Sequence, residues 1–143
     1  MFEEIKNNLK NTFYEVKLPE IEEVENELGI RFPEQLRKFY LEVGYGFING
    51  SDGNVNRIMD PYSVRDFRLR QNDFEYYPDI EIYDEFEDNK LIFFEGNEVS
   101  MISIAFDNDK SNSIFYYDEK IAESFIDFIN KISKDDTFYY DAF

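Results

Sequence analysis

The apolar positions of this chain follow two rhythms. Between Lys90 and Ile132, three short apolar runs, Leu91–Phe94, Met101–Phe106 and Ile114–Tyr117, are separated by polar stretches. Glu95-Gly96-Asn97-Glu98 and the segment from Asp107 to Asn112 have the composition of turns, so the runs predict an antiparallel meander. Each run is apolar on parts of both alternating faces, as expected of a sheet covered by helices. The rhythm then changes. Ile121, Phe125, Phe128 or Ile129, and Ile132 recur at helical spacing, with Lys131 and Lys134 placed where a helix's negative end favours cations. The expectation is a sheet closed by a helix lying on one face.

The N-terminal half reads as helical. Phe2, Ile5, Leu9 and Phe13 step by three and four, which predicts one face of a first helix. Pro19 suits the first turn of a second helix, Ile21, Val24 and Leu28 give its stripe, and Gly29 its stop. Pro33 opens a third, with Leu36, Phe39 or Tyr40, and Val43 facing inward and Gly44-Tyr45-Gly46 ending it. Residues 49–56 are a loop by their Asn, Gly, Asp and Ser content. Arg57-Ile58-Met59 predicts a short strand stopped by Asp60-Pro61. Ser63 is a cap for a short helix holding Val64, Phe67 and Leu69. In residues 72–89, Ile80 and Ile82 alternate with polar neighbours, as in an edge strand. No internal repeat or linker divides the chain, so residues 1–143 are read as one domain.

Composition narrows the function. The chain has 143 residues, 16 Phe, 11 Tyr, no Trp, no Cys and no His. So many rings are hard to bury completely, and some Tyr should reach the surface, where it serves as an interface anchor. Without His or Cys there is no Ser-His-Asp triad, thiolate nucleophile, disulfide or imidazole metal site; carboxylates, Lys and Tyr are the remaining acid–base groups. The 32 acidic residues against 15 basic give a net charge of −17. Such a surface repels phosphate backbones and anionic lipid, and attracts a basic protein. Met1-Phe2-Glu3-Glu4-Ile5 is not a signal peptide and no run is long enough to cross a membrane, so a cytoplasmic location is expected.

Three constellations could carry chemistry. Pro78-Asp79 followed by Asp88-Asn89-Lys90 mimics a metal-dependent nuclease pattern, which needs its carboxylates on adjacent strands. The short gap and the acidic surroundings argue against it. Asp107-Asn108-Asp109-Lys110-Ser111 with Asp118 approaches a calcium-loop spacing, but Asn112 stands where that loop needs Gly, and a hairpin turn explains the composition better. The third is the acidic, aromatic segment 73–88. One reading is a solvated loop with a few rings tucked into the core. The other is a recognition surface whose carboxylates imitate phosphates and whose Tyr side chains anchor a partner. The tail, residues 135–143, offers the same combination.

The segment from Leu18 to Gly46 resembles the opening of the SUKH superfamily, the SMI/KNR-type domains. Ile21, Val24, Glu25, Leu28 and Gly29 fit its first helix. Phe32-Pro33 takes the place of its Leu-Pro, and Phe39-Tyr40-Leu41 and Gly44-Tyr45-Gly46 take the later places. Ile121-Ala122-Glu123-Ser124-Phe125-Ile126-Asp127-Phe128-Ile129 is similar to the family's final helix. The Asn of the usual Asn-Gly-Gly turn is absent, and the first hairpin keeps only Gly96-Asn97. The resemblance implies an α+β fold with N-terminal helices, a central antiparallel β-meander and a C-terminal helix packed on the sheet. It also implies a non-enzymatic immunity protein, or antitoxin, that binds a polymorphic toxin domain, frequently a nuclease, and occludes its active site. The alternative it implies is an SMI/KNR-type interaction scaffold with no toxin. Neither needs a cofactor, a metal, direct nucleic-acid contact or a membrane. The expected contact residues are Asp79, Glu81, Tyr83, Asp84, Glu85, Glu87 and Asp88.

Overall fold

The structure, a computed structural model, describes residues 2–50, 53–97, 99–106 and 112–142, with side chains up to Tyr140. The element order is α1 (Glu3–Asn7), β1 (Thr12–Tyr14), α2 (Leu18–Leu28), α3 (Glu34–Glu42), β2 (Tyr45–Asn49), β3 (Val55–Ile58) and α4 (Pro61–Leu69). Two 3₁₀ turns, Asn72–Phe74 and Ile80–Phe86, lead to β4 (Lys90–Gly96), β5 (Ser100–Ala105), β6 (Ile114–Tyr116) and β7 (Glu119–Ala122). Then come α5 (Phe125–Lys134) and a last 3₁₀ turn, Phe138–Ala142. The seven strands form one antiparallel sheet in chain order, β1 to β7. The expected meander is its β4–β6 centre and the expected closing helix is α5. The fold is α+β.

Antiparallel partners share a face, so one row can be read across the whole sheet: Phe13, Gly46, Ile58, Phe94, Ile102, Tyr116 and Glu119. Helices cover this face. Phe13 meets Phe39 of α3, with ring centres 5.9 Å apart, and Phe94 meets Phe128 of α5 edge-on at 4.9 Å. Phe125 links α5 to Phe39, Phe93 and Phe2. A bulge between Ile92 and Phe94 lets both Phe93 and Phe94 reach Phe128. Ser124 starts α5 by accepting the Asp127 amide at 3.1 Å.

Several expectations shift by one element. The first helix stops at Asn7, because Asn8 accepts the Lys10 amide and Asn11 donates to the Ile5 carbonyl, which offers the backbone a turn instead. Leu9 is then fully exposed, and Phe13 enters the core from β1. Gly44-Tyr45-Gly46 does not merely end α3. Gly44 and Gly46 have φ of 113° and 151°, and a Cβ on either would strike the carbonyls of Tyr14 and Thr12, so these glycines let β2 lie against β1. Asp60, not Ser63, caps α4: its carboxylate accepts the Ser63 amide at 3.3 Å, with Pro61 in the first turn. Ile121 belongs to β7, because Ser124 fixes the helix start beyond it. Ile80 and Ile82 form no edge strand. Their neighbourhood has period three: Ile80 and Tyr83 pack on the core and Phe86 packs on Tyr117 from one side of a 3₁₀ turn, and β1 and β7 are the sheet's edges. The Asp107–Ser111 loop, with its calcium-like spacing, lies outside the described residues.

The tail is part of the core. Tyr139 is fully buried, its hydroxyl donates to Asn56 Oδ1 at 2.6 Å, and its ring occupies the space a Cβ on Gly96 would need. Asn54 and Asn56 both donate to Asp136, which ties the chain after α5 to β3. Tyr139→Phe leaves a buried amide oxygen unpaired. It is expected to lower unfolding free energy by about 1–3 kcal/mol in urea, with the denaturant slope unchanged. An unaltered midpoint would show that the tail is not docked.

Candidate functional site

Between Arg70 and Lys90 the chain has no Lys or Arg, yet it carries Asp73, Glu75, Asp79, Glu81, Asp84, Glu85, Glu87 and Asp88. A run of like charge folds only if something offsets its repulsion. Here α4 supplies it. Arg68 Nη1 donates to the backbone carbonyls of Glu87 and Lys90 at 2.9 and 3.0 Å. Arg70, in the left-handed cap position of α4, pairs with Asp84 at 2.7 Å and Glu87 at 2.9 Å, and donates to the Phe67 carbonyl. Rings complete the attachment. Phe67 packs edge-on against Phe74, Tyr77 and Tyr83, and Tyr83 stacks on Tyr117 at 5.7 Å with planes 8° apart.

The seven expected contact residues therefore divide. Asp79, Glu81, Asp84, Glu85 and Asp88 are exposed. Tyr83 and Glu87 are buried, and their visible roles are to hold the segment down. Burial, with a hydrogen bond to Tyr117, pushes the Tyr83 hydroxyl far above the ordinary phenol range. With Asp84 drawn onto Arg70, the carboxylates of Asp73, Glu75, Asp79, Glu81, Glu85 and Asp88 stand exposed without an ion pair among the described residues.

Next to these acids lies apolar surface that sequence reasoning missed. A groove of about 430 Å³ is lined by Tyr77, Pro78, Asp79, Ile82, Tyr83, Val99 and Tyr117. Val99 is 68% exposed, Ile82 45% and the neighbouring Tyr76 87%. The sequence did hold a signal: Val99 is an apolar residue in the otherwise polar turn between β4 and β5. A second exposed aromatic surface lies on β1 and β2, where Tyr14 and Tyr45 sit 5.4 Å apart beside Phe47, on the face turned away from Phe13.

The nuclease-like pattern is not assembled. Asp79 precedes the 3₁₀ turn and Asp88 follows it, neither on a strand, and the Lys90 ammonium lies over the Phe115 ring at 4.7 Å. Among the described residues no three acidic side chains converge as a metal-binding group, and no helix is long and apolar enough to cross a membrane.

Glu87 makes the attachment sensitive to pH. Burial raises its pKa above the usual carboxylate value, and the attraction of Arg70 and Arg68 offsets this only in part. The folded state thus favours the neutral acid. Its contribution to stability is full below the ordinary glutamate pKa and is lost as pH rises through the raised one. Arg70 remains charged throughout. Arg70→Ala leaves the Glu87 carboxylate buried without its partner. The expected loss is about 2 kcal/mol at pH 7, and clearly less near pH 4, where Glu87 is neutral. Urea midpoints of the variant and the parent at the two pH values check this; equal losses would mean that Arg70 does not act through Glu87.

The family motifs now have physical roles. Glu25 accepts the Phe32 amide at 2.8 Å and the Arg37 guanidinium at 3.3 Å, which fixes the corner between α2 and α3. Gly29 ends α2 at φ 68°. No solved structure matches. A curated protein of Bacillus subtilis (strain 168), Immunity protein YxxD, is 60% identical over 137 residues, covering 96% of this chain and 93% of that protein. The family model SUKH_6, described as SMI1-KNR4 cell-wall, matches residues 19–129. The chain belongs to this SUKH (SMI1-KNR4) family.

Proposed function

We propose that this chain is an immunity protein that binds a cognate toxin domain, a basic nuclease, and neutralises it by covering its active site. The relative of known role supports the immunity part of this reading. The observation that carries the mechanism is the set of exposed carboxylates of Asp79, Glu81, Glu85 and Asp88, without an ion pair among the described residues, on a segment that two arginines and a ring cluster hold in place. A nuclease binds phosphate through basic side chains, and fixed carboxylates compete for the same groups. Asp79, Glu81, Glu85 and Asp88 make the contacts. Asp84 contributes from its pair with Arg70, and Tyr83 and Glu87 keep the segment rigid. The protein acts by binding and catalyses nothing, from the cytoplasm of the cell that also makes the toxin.

The second reading, a scaffold with no toxin, has the Tyr14–Tyr45–Phe47 surface in its favour, a stripe of rings on the sheet face turned away from Phe13. The two differ in their response to salt. Charge-steered binding slows steeply as ionic strength rises, whereas an apolar contact is nearly indifferent to it.

Co-expression with the toxin encoded beside this chain is expected to restore growth. The double reversal Glu81→Lys with Glu85→Lys is expected to slow association with the purified toxin domain at least tenfold at low salt and to flatten its salt dependence. Failure to rescue growth with any neighbouring toxin would sink the reading. Normal association by the double variant would remove the Asp79–Asp88 surface from it.

A further inference from the structure

We propose that the groove beside Val99 receives an apolar side chain that the toxin presents between lysines or arginines; this rests on the immunity reading above. Val99 and Ile82 both line the groove, and both are more exposed than a residue that serves only the core. An exposed valine in a turn adds nothing to the fold. Of its lining, Tyr83 is stacked on Tyr117 and braced edge-on by Phe67, packing that resists collapse of the groove. Its volume of about 430 Å³ suits one branched or aromatic side chain with its backbone neighbours.

Charge decides the occupant. Asp79 lines the groove, and Glu75 and Glu81 lie within two residues of its lining positions in sequence; all three are exposed without an ion pair among the described residues. Arg70 is engaged by Asp84 and Glu87, and Lys90 by the Phe115 ring, so neither offers this rim a cation. A second copy of the chain, at a net charge of −17, would bring its own acids against these. An anionic lipid surface would meet the same repulsion. An apolar residue flanked by cations fits both the floor and the rim.

The division of labour is kinetic. The carboxylates set how fast the toxin arrives, and the apolar anchor sets how long it stays. Val99→Ser and Ile82→Ser change exposed positions, so both variants should fold, which circular dichroism and melting temperature check. With the purified, catalytically inactivated toxin domain, each is expected to raise the dissociation rate at least tenfold while association and its salt slope stay within twofold. Because the chain has no cysteine, Val99→Cys carries a single thiol. Its maleimide labelling should slow at least tenfold in the complex, and that of Leu41→Cys on α3 should not. The proposal is overturned, with the immunity reading intact, if the toxin binds and both serine variants release it at the parental rate. The same follows if Val99→Cys labels freely in the complex, or if Leu41→Cys is protected in its place. If no toxin binds the parent chain, the proposal falls with the reading it rests on.

Discussion

The packing of α5 on the middle of the sheet is the contact on which the rest of the molecule depends. Phe125 and Phe128 press edge-on or tilted against Phe93 and Phe94, and all four rings are fully buried. Removing one such ring from a core of this kind costs about 3–5 kcal/mol, a large part of a small domain's stability. The other elements attach to this block. Phe2 and Phe39 bring in α1 and α3 through Phe125, and Phe138 and Tyr139 bring in the tail through Phe128 and Phe94. A chain with no cysteine gains its rigidity from interlocked rings, whose preference for edge-to-face contact fixes the angles between elements.

On that block the acidic segment is an addition under electrostatic strain. Eight carboxylates lie between Arg70 and Lys90, and mutual repulsion would lift them from the surface. The offset is concentrated at the end of one helix. Arg68 binds backbone carbonyls, so it holds the chain whatever the side chains carry. Arg70 neutralises Glu87, the one carboxylate that packing pulls inward, and takes Asp84 with it. The carboxylates left over are those that point to water, where their charge costs the fold little.

Elements governed by local chemistry were legible in the sequence. Pro19, Gly29 and Pro33 bound α2 and α3 as expected, because a proline at a first turn and a left-handed glycine at a last one act within a few residues. The strands β1, β2 and β7 were not legible. Each is three to five residues long, and each exists because a neighbour pairs with it, which no local pattern records. Phe13 and Ile121 satisfy a helical spacing by coincidence and a strand by pairing. In the candidate site, the acids were legible as composition. The split between exposed and buried members was not: Tyr83 and Glu87 look like their neighbours until Phe67 and Arg70 arrive from a different element. Val99 was visible as an apolar residue in a turn, but only the fold brings it beside Ile82 and Tyr77.

This layout separates the residues that hold the acidic segment down from those it leaves exposed. The residues that fix the segment, Arg68, Arg70, Phe74, Tyr83 and Glu87, are half-buried or buried and act through the backbone or the core. Those available for contact, Asp79, Glu81, Ile82, Glu85, Asp88 and Val99, are exposed, and none of them has an ion pair among the described residues. Exposed positions of this kind change stability by about half a kcal/mol or less on substitution. These positions can therefore change without disturbing the sheet and its helices. On the proposed function, the arginine clamp holds the segment in place, and the exposed side chains are the ones left to choose a partner.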